Sequence, residues 1–455
     1  MARIERQHAS ELEPEFRSKN FNEVTAVLNN EKAAIEASRC INCKNAPCVH
    51  GCPVGIDIPK FISLLKGGDF ASSYAVLKEA SNLPAICGRV CPQETQCEKY
   101  CIRNKMEGSV SIGALERFVA DKFSDKSPEF EIPKPTGKKV CVVGSGPSGL
   151  TVAGDLAKAG VEVVIYEAFH KSGGVLTYGI PEFRLPKCVV KKEINDLKNL
   201  GVKIEHNVVV GKTFSLAELR EKFDAVYLSS GAGLPMFLGI PGEGLSGVLS
   251  ANELLTRVNL MKAHLKESAT PVKVGKTVAV IGAGNVAMDA ARVALRLGAE
   301  RVMIVYRRSE EEMPARAEEL RHAKEEGVEF KLLTNPVRIE GENGCVTKIV
   351  CVKMELGEPD ASGRRRPNEI KGSEFDLPCD TVIVSLGTKP NPLISSSSPE
   401  LAVDGKGLVT VSENNQTNLD NVWAGGDMVS GAATVILAMG AGKTAAKAIL
   451  KKLGV

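Results

Sequence analysis

The chain has 455 residues, of which 43% are hydrophobic and 25% charged, a composition typical of a globular protein with two or three domains. Its formal net charge of +3 is too small to indicate nucleic acid or a membrane surface as a partner. The first residues lack the apolar segment of a secretory signal, and no stretch reaches the ~18 apolar residues of a membrane span. We therefore expect a cytoplasmic protein, in which disulfides are rare.

Cysteines are concentrated near the amino terminus, within a region whose apolar spacing predicts helices and loops. Eight of the thirteen lie between Cys40 and Cys101, in two runs. The first run has the spacing C-x2-C-x4-C-x3-C and ends at Cys52, which is followed by a proline. It resembles the bacterial ferredoxin run, in which the fourth cysteine serves a different cluster from the first three. Cys52 therefore needs partners from elsewhere, although zinc is an open alternative.

A proline- and charge-rich stretch, residues 124–137, predicts a linker. After it, "KKVCVVGSGPSGLTVAGDLAKAGVEVVIYE" predicts a strand, a glycine turn, a helix and a second strand. Gly144, Gly146 and Gly149 form G-x-G-x-x-G, and Glu167 ends the second strand. This pattern is typical of dinucleotide binding, with the pyrophosphate at the helix amino terminus and the acid on a ribose. The alternative is a glycine-rich structural turn.

The same pattern recurs about 140 residues later in "GKTVAVIGAGNVAMDAARVALRLGAERVMIVYRR". Its phosphate-binding residues would be Gly282, Gly284, Asn285 and Ala287. Where an acid would end the second strand, the chain has Arg307 and Arg308. Guanidinium groups bind a 2′-phosphate, so this unit is predicted to prefer NADP over NAD. The alternative is that both arginines lie on a solvated loop.

Two further segments resemble the pattern of flavoproteins with two dinucleotide domains. The tail "VWAGGDMVSGAATVILAMGAGKTAA" resembles the motif that closes their flavin site. In this resemblance Gly426 and Asp427 meet the flavin, and a helix starting at about Thr434 points its amino terminus at the ring. "SGGVLTYGIPEFRLP" contributes Gly174 and Arg184, the latter matching a flavin-contacting arginine.

These patterns together predict an α/β protein with a helical amino-terminal iron–sulfur domain and two Rossmann-like domains. The helical domain is expected over residues 1–135. The FAD-binding domain is expected over residues 136–270 and 386–455, interrupted by an NADP-binding domain over residues 271–385.

The whole chain resembles the small subunit of glutamate synthase and its relatives, the amino-terminal half of dihydropyrimidine dehydrogenase and the large subunit of an electron-bifurcating NADH-dependent reduced ferredoxin:NADP oxidoreductase. The segments "GIPEFRLP" and "ELGEPDASGRRRP" look most like the bifurcating branch. The resemblance implies FAD, NADP(H) and two 4Fe-4S clusters. The ligands it implies for the first cluster are Cys40, Cys43, Cys48 and Cys101. Those it implies for the second are Cys52, Cys91, Cys97 and either Glu116, which we favour, or Cys87.

The resemblance implies a subunit that transfers hydride and electrons between NADP(H), FAD and the clusters, of the bifurcating type. Its partner would be a second redox subunit, with ferredoxin reached through it. The first alternative is a glutamate synthase small subunit that feeds a glutamate-forming large subunit. The second is a non-redox NADP-binding regulatory protein with structural zinc. No residue pairs a nucleophile with a base, so no conventional catalytic residue is expected.

Overall fold

A computed structural model describes residues 4–123, 133–361 and 363–455 of the chain. Most of the predicted linker falls outside these ranges. The helices of the amino-terminal part are α1 Pro14–Arg17, α2 Asn30–Ser38, α3 Pro47–His50, α4 Ile58–Lys66, α5 Phe70–Ala80, α6 Pro84–Val90 and α7 Ile112–Lys122. The later helices are α8 Pro147–Lys158, α9 Val175–Tyr178, α10 Lys187–Asn199, α11 Leu216–Lys222, α12 Ala251–Asn259, α13 Asn285–Arg296, α14 Ala317–Glu325, α15 Leu393–Ser397, α16 Asp427–Ser430 and α17 Val435–Leu453.

Short polar side chains set the starts of the amino-terminal helices. Asn29 accepts a hydrogen bond from the Lys32 amide, so helix α2 begins only after it although apolar spacing extends further upstream. Asp57 and Asp69 cap α4 and α5 in the same way. Glycines 67 and 68 separate these two helices. The predicted helical character of this region is confirmed.

The strands alternate with helices from residue 139 onward. They are β1 Lys139–Val143, β2 Glu162–Glu167, β3 Lys203–His206, β4 Ala225–Leu228, β5 Leu234–Pro235, β6 Val248–Ser250, β7 Thr277–Ile281, β8 Arg301–Tyr306, β9 Glu329–Leu332, β10 Thr334–Glu342, β11 Cys345–Pro359, β12 Arg365–Glu369, β13 Phe375–Pro378, β14 Thr381–Val384, β15 Thr388–Lys389 and β16 Val422–Ala424.

Two five-stranded parallel sheets confirm the predicted pair of βαβ units. The first has the order β16-β4-β1-β2-β3, and the second has the order β6-β14-β7-β8-β9. Val140 pairs with Val163 in the first sheet, and Val278 pairs with Val302 at the equivalent place in the second. Strand β16 returns to the first sheet from the far end of the chain, so the second sheet interrupts the first in sequence.

The change from the first sheet to the second comes earlier than the predicted division at residue 270. Strand β6 precedes that division, yet its residues pair with β14 of the second sheet. Strands β10 to β13 form a separate antiparallel sheet, which lies in sequence between β9 and β14 of the second sheet. We use the names first unit and second unit for the parts built on the two parallel sheets.

The hydrophobic cores cross the boundaries between these parts. One core contains apolar side chains of the amino-terminal helices, such as Leu77 and Leu115, together with Val140 and Leu156 of the first unit. The core of the second unit contains Val24 and Phe183, which come from outside it. The amino-terminal helices, the first unit and the second unit are therefore packed against one another.

Candidate flavin, nicotinamide and iron–sulfur sites

The first glycine turn is shaped to admit a phosphate group. Gly144 has a φ of +100°, and a Cβ there would lie 2.5 Å from the Ser229 carbonyl oxygen. A Cβ at Gly149 would lie 2.0 Å from the Gly144 oxygen. Gly146, by contrast, faces open space, with no heavy atom within 4 Å of where its Cβ would be. Two glycines therefore permit the tight turn, and the third leaves room beside the amino terminus of α8 for a ligand.

Glu167 is fixed at the end of β2 by three hydrogen bonds. Its Oε2 accepts from the amide of Ser145 at 2.9 Å and from the hydroxyl of Ser145 at 2.5 Å. Its Oε1 accepts from the Phe169 amide at 2.8 Å and, with a second lone pair, retains capacity for a ribose hydroxyl. The Ser145 hydroxyl also accepts from the Gly173 amide at 3.0 Å. Our sequence reasoning missed Ser145, which links three parts of this site.

The predicted flavin residues from distant parts of the chain meet at this turn. A Cβ at Gly174 would lie 2.8 Å from the Cα of Gly146, and one at Gly426 would lie 3.0 Å from the Cβ of Ser148. Burial raises the pKa of the Asp427 carboxyl to about 6. The Thr434 hydroxyl accepts a hydrogen bond from the Leu437 amide, so α17 begins there as predicted.

Tyr178 is a second residue of this site that our sequence reasoning missed. Burial raises the pKa of its phenol to about 12, and the carboxylates of Asp427 and Glu167 add to this effect. The phenol is therefore close enough to both acids predicted to hold the flavin nucleotide for their charges to act on it. Its position in the segment "TYGIPEF", next to residues predicted to contact the flavin, could have indicated this role from the sequence.

Arg184 makes its ion pairs with the second unit. Its Nη1 lies 2.7 Å from Asp289 Oδ2, and its Nε lies 2.6 Å from Glu319 Oε1. The neighbouring Phe183 ring is covered by Arg292 and Arg296, with their guanidinium carbons 4.6 and 3.9 Å from its centroid. The loop thus joins the first unit to the second, and a flavin contact by Arg184 stays a prediction.

The second glycine turn repeats the geometry of the first. Gly282 has a φ of +128°, and a Cβ there would lie 2.3 Å from the Ser385 carbonyl oxygen. At Gly284 the nearest atom to a Cβ would be Pro314 Cγ, 3.9 Å away, so this position is open. Ala287 is fully buried. Asn285 Oδ1 accepts a hydrogen bond from the Arg316 amide at 2.9 Å, which fixes the following loop beside the turn.

The two arginines after β8 have different surroundings. Arg307 is exposed, whereas Arg308 is buried. The Nη2 of Arg308 lies 2.7 Å from Asp360 Oδ2, and its Nε donates to the Arg365 carbonyl oxygen at 2.8 Å. Arg308 therefore holds the β11–β12 hairpin against the turn. Recognition of a 2′-phosphate by either arginine stays a prediction.

Four thiols of the cysteine region share one apolar pocket, as the predicted ligand set requires. The pocket is lined by Cys40, Cys43, Cys48 and Cys101 together with apolar side chains such as Ile58 and Val110. Burial, followed by the neighbouring Cys101 and Cys40, raises the pKa of the Cys48 thiol to about 12. All four cysteines are free thiols. Four thiols that line one apolar pocket fit a 4Fe-4S cluster.

The remaining cysteines of this region lie together around Glu116. Burial raises the pKa of Cys52 to about 11, with Glu116 and Cys87 among the smaller contributions. The charge of Glu116 is also among the smaller causes that raise the pKa of the Cys91 and Cys97 thiols. The structure therefore brings together the residues predicted for a second cluster, including both candidates for its fourth ligand. We call Cys52, Cys87, Cys91, Cys97 and Glu116 the second cysteine group.

The two candidates for that ligand differ in their hydrogen bonds. Glu116 Oε1 is buried and has no hydrogen-bond partner among the described residues, and burial raises the pKa of this carboxyl to about 8. The Cys87 thiol donates to Met439 Sδ at 3.5 Å and lies 3.9 Å from Ser81 Oγ. A buried, unpartnered carboxyl oxygen is costly unless a ligand satisfies it. The donor set therefore fits a cluster, and Glu116 stays our prediction for its fourth ligand.

Helix α17 connects the flavin motif to this second cysteine group. The helix is capped by Thr434, and five residues later Met439 contacts Cys87. A Cβ at Gly440 would lie 3.0 Å from the carbonyl oxygen of Pro53, the residue after Cys52. At 1.5 Å per residue, these contacts lie about 8 Å along the helix from its start. The second group is thus next to the flavin motif.

A further set of potential ligands is formed by Glu11, His322 and Glu325. Here His322 Nε2 is 3.1 Å from Glu11 Oε2, and Arg321 pairs with both carboxylates. Arg17 and Arg321 already balance these acids, so we interpret the group as an ion-pair network. Among the described residues, no helix has the length and apolar character needed to cross a membrane.

Comparisons with known families match this division of the chain. Residues 17–128 match the family described as dihydropyrimidine dehydrogenase domain II, 4Fe-4S cluster. Residues 138–445 match the pyridine nucleotide-disulphide oxidoreductase family. The first match covers both cysteine groups and Glu116, and the second covers both glycine turns and the tail motif.

Curated relatives match over nearly the whole chain. The glutamate synthase (NADPH) small chain of Escherichia coli (strain K12) is 36% identical over 450 residues, covering 97% of this chain and 95% of that protein. The same subunit of Azospirillum brasilense is 37% identical, with coverages of 95% and 92%. The NADP(+)-dependent formate dehydrogenase subunit beta of Moorella thermoacetica is 38% identical over 89% of this chain and 59% of that protein.

A solved structure supports the fold of the two units. Mycobacterium tuberculosis FprA in complex with NADPH has a TM-score of 0.59 and 24% identity, covering 70% of this chain and 85% of that one. At this identity the likeness concerns the fold alone.

Proposed function

This chain belongs to the family of the glutamate synthase small chains and to the pyridine nucleotide-disulphide oxidoreductases, and on that premise we propose that it is the NADPH-oxidising subunit of a glutamate synthase. It is an NADPH-dependent oxidoreductase whose cofactors are FAD, NADP(H) and 4Fe-4S iron–sulfur. The proposed part is its place in the assembly: it holds two clusters and delivers electrons to a larger subunit that forms glutamate.

The observation that carries this proposal is the continuous arrangement along α17. The helix starts at the flavin motif, contacts Cys87 through Met439 and approaches Pro53 through Gly440. A bound FAD would supply two-electron chemistry toward NADPH and one-electron chemistry toward iron–sulfur clusters. The residues of the chain would hold these groups near one another, and orientation rather than acid–base chemistry is what such a transfer requires from them.

The two units would bind different nucleotides. The open positions at Gly146 and Gly284 each leave room for a pyrophosphate, beside the amino termini of α8 and α13. Ser145 and Glu167 form the ribose-binding end of the first unit. The ion pairs of Arg184 with Asp289 and Glu319 hold the second unit against the first, so both nucleotides would be kept in one relative orientation.

The bifurcating ferredoxin:NADP oxidoreductase is the second candidate, because the segments "GIPEFRLP" and "ELGEPDASGRRRP" resemble that branch. Two observations favour glutamate synthase instead. The small chains from three bacteria are 36–37% identical, and they align over more than nine tenths of both proteins. The alternative of a non-redox regulatory protein with structural zinc is disfavoured, because the matched families are described by a 4Fe-4S cluster and as oxidoreductases.

Reconstitution with the two possible partners tests the proposal. We expect the purified chain to show flavin absorption and a cluster EPR signal after reduction by NADPH. Mixed with a glutamate synthase large subunit, it should support NADPH-dependent glutamate formation, which a Gly284→Ala variant should lose. Ferredoxin reduction that requires a flavin-containing partner and NADPH, with no glutamate formed by the first mixture, would instead establish the bifurcating candidate.

A further inference from the structure

The loop beside the second glycine turn carries Arg316. The backbone amide of Arg316 donates a hydrogen bond to Asn285 Oδ1 in the turn, at 2.9 Å. Pro314, two residues earlier, borders the open position of the turn, since its Cγ would lie 3.9 Å from a Cβ on Gly284. A ligand that fills this open position would therefore adjoin the loop on which Arg316 lies.

The guanidinium group of Arg316 makes its contacts in the amino-terminal helical part of the chain. Its Nη2 donates to Gln93 Oε1 at 3.1 Å, and its Nη1 donates to the Arg89 carbonyl oxygen at 3.2 Å. Its Nε lies 3.3 Å from Glu94 Oε1, and 7% of the Arg316 side chain is exposed. These three partners lie within three positions of Cys91 in the sequence. The guanidinium therefore contacts the chain on both sides of a predicted cluster ligand.

Gln93 connects this contact to the rest of the second cysteine group. Its Nε2 donates to the Cys87 carbonyl oxygen at 3.4 Å, and its backbone amide donates to the Cys91 carbonyl oxygen at 2.9 Å. A Cβ on Gly113, about one turn before Glu116 in helix α7, would lie 2.2 Å from the same Nε2. A displacement of Gln93 would therefore act on both cysteines and on the helix that carries Glu116.

Open space lies beside these contacts. A cavity of about 450 Å³ is lined by residues of the amino-terminal part and of the second unit, among them Arg316, Arg89, Gln93 and Glu94. Because close packing does not confine the guanidinium on this side, it can shift without displacing a core side chain. Buried ion pairs elsewhere, such as that of Arg184 with Asp289, hold the second unit to the first. The loop can therefore move while the units keep their places.

We propose that Arg316 is a positioning residue that couples occupancy of the second glycine turn to the second cysteine group. A ligand at the turn shifts the loop, and the guanidinium transmits this shift to the segment around Cys91. Hydrogen bonds and charge near a cluster help to set its potential, so the cluster would respond. Reduction of the cluster would in turn change the affinity for the ligand by the same factor. The inference rests on the proposed function for the presence of a second cluster, and it adds the residue that links the two sites.

Hydrogen exchange in the oxidised holoprotein tests this coupling without turnover. The probe is 2′-phospho-ADP-ribose, which has the phosphates of NADP but no nicotinamide and therefore exchanges no electrons. In the wild type we expect the probe to change the exchange rate of amides in residues 93–98 at least about fivefold, the lower end of ordinary coupling. In Arg316→Gln the change should fall below about twofold, although the probe still binds, because the amide of residue 316 remains.

Two further variants separate the bridge from charge and from general fastening. Arg316→Lys keeps the positive charge but lacks the planar fork that reaches three partners, so it should also lose the probe-induced change. Arg321→Gln is the matched control. Arg321 belongs to helix α14 and also pairs with the amino-terminal part, but through Glu11 at 2.7 Å, so this variant should keep the wild-type response.

An EPR-monitored redox titration measures the same coupling at the cluster. A fivefold difference in probe affinity between the oxidised and reduced cluster corresponds to about 40 mV, at 59 mV per tenfold for one electron. The probe should therefore shift one cluster's midpoint potential by at least this amount in the wild type and in Arg321→Gln. It should leave the potential unchanged in Arg316→Gln, whose iron content should equal that of the wild type.

The outcomes distinguish the coupling from the proposed function. A purely structural contact would raise the exchange rate of Arg316→Gln without the probe but leave the probe-induced change in place, and that result would overturn the proposal. So would an absent response in the wild type, a full response in Arg316→Lys, or an equal loss in Arg321→Gln. Calorimetry provides the separate readout. Failure of the probe to bind any of the proteins would contradict the nucleotide-binding role of the second unit and the coupling with it, whereas normal binding without a response would overturn the coupling alone.

Discussion

Glu116 and Cys87 offer alternative fourth ligands to the second cysteine group, and their surroundings differ at the level of single atoms. Cys87 already has a sulfur partner in Met439, whereas Glu116 Oε1 is buried with no hydrogen-bond partner in the part of the chain that the structure describes. A carboxylate donates differently from a thiolate and alters the charge that sets a cluster's potential.

We therefore expect Glu116→Ala to change the EPR spectrum or midpoint potential of one cluster. Cys87→Ala should leave the iron and sulfide content near wild type, and Cys141→Ala, a buried thiol remote from both groups, serves as the control. Cys48→Ala and Cys101→Ala should damage one cluster, and Cys91→Ala the other. Loss of a cluster in Cys87→Ala with a silent Glu116→Ala would make the cysteine the ligand, and full iron in every variant would contradict the cluster assignment.

Arg307 and Arg308 were predicted to act as a pair, but their surroundings give them different expected phenotypes. Replacing exposed Arg307 by Ser should raise KM for NADPH at least about tenfold and leave KM for NADH unchanged, because a charge-assisted contact is worth about 1.5–3 kcal/mol. Arg308→Ser should in addition lower the melting temperature, since it removes the ion pair with Asp360 and the hydrogen bond to the Arg365 carbonyl oxygen. Unchanged NADPH kinetics in the double variant would contradict the assignment of this unit to NADP.

At the scale of elements, each glycine turn combines positions that the fold needs with one that the ligand needs. Gly146 has φ and ψ of −71° and 179°, which any residue adopts, and space around it. Gly146→Ala should therefore leave the melting temperature of the apoprotein unchanged while abolishing tight FAD binding. Gly284→Ala should likewise leave the melting temperature unchanged and abolish tight NADPH binding, with FAD retained.

A matched Gly149→Ala variant should lower the stability of the apoprotein, because its Cβ would collide with the Gly144 oxygen. Equal FAD affinity in Gly146→Ala and wild type would exclude this turn as the flavin site.

The elements that the sequence predicts well are those whose pattern lies within a short stretch of the chain. The glycine turns, the flanking strands and the returning tail each depend on residues within about thirty positions, and the structure confirms them. The pairing of β6 with β14 was not predictable in this way, because three residues with no distinctive pattern are assigned to a sheet by a partner more than a hundred residues away. Ser145 and Tyr178 were missed for a related reason, since their roles depend on neighbours that fold against them.

At the scale of the whole molecule, buried ion pairs fasten the second unit to the rest. Glu326 Oε1 and Oε2 accept hydrogen bonds from Arg292, Arg296 and Arg17, the last from helix α1 at the amino terminus. Arg184 adds pairs to Asp289 and Glu319 from the first unit. Residues hundreds of positions apart thus share one network. Sequence alone showed only separate charges, which are by default interpreted as solvated.

Glu326 is the residue on which this network most depends, because its fully buried carboxylate faces three guanidinium groups. Glu326→Gln should lower the free energy of unfolding of the second unit by about 3–5 kcal/mol at pH 7, since it leaves buried charges uncompensated. Glu329→Gln is the matched control. Its carboxylate also pairs with an arginine, Arg301, but on the surface, so the loss should be below about 1 kcal/mol.

The pH dependence of stability separates loss of charge from loss of packing in these variants. Arginine partners hold the pKa of Glu326 at about 2, against 4.5 for the ordinary carboxyl. Because the pKa is lower in the folded state than in the unfolded state, the ionised carboxylate stabilises the folded state in full above about pH 4.5. This contribution to the free energy of unfolding is lost as the pH falls toward 2. The difference in calorimetric melting temperature between wild type and Glu326→Gln should therefore be constant from pH 7 to 5 and shrink below about pH 4.5. A difference that stays constant down to pH 3.5 would mean that the variant acts through packing, and that the charge network does not hold the second unit in place.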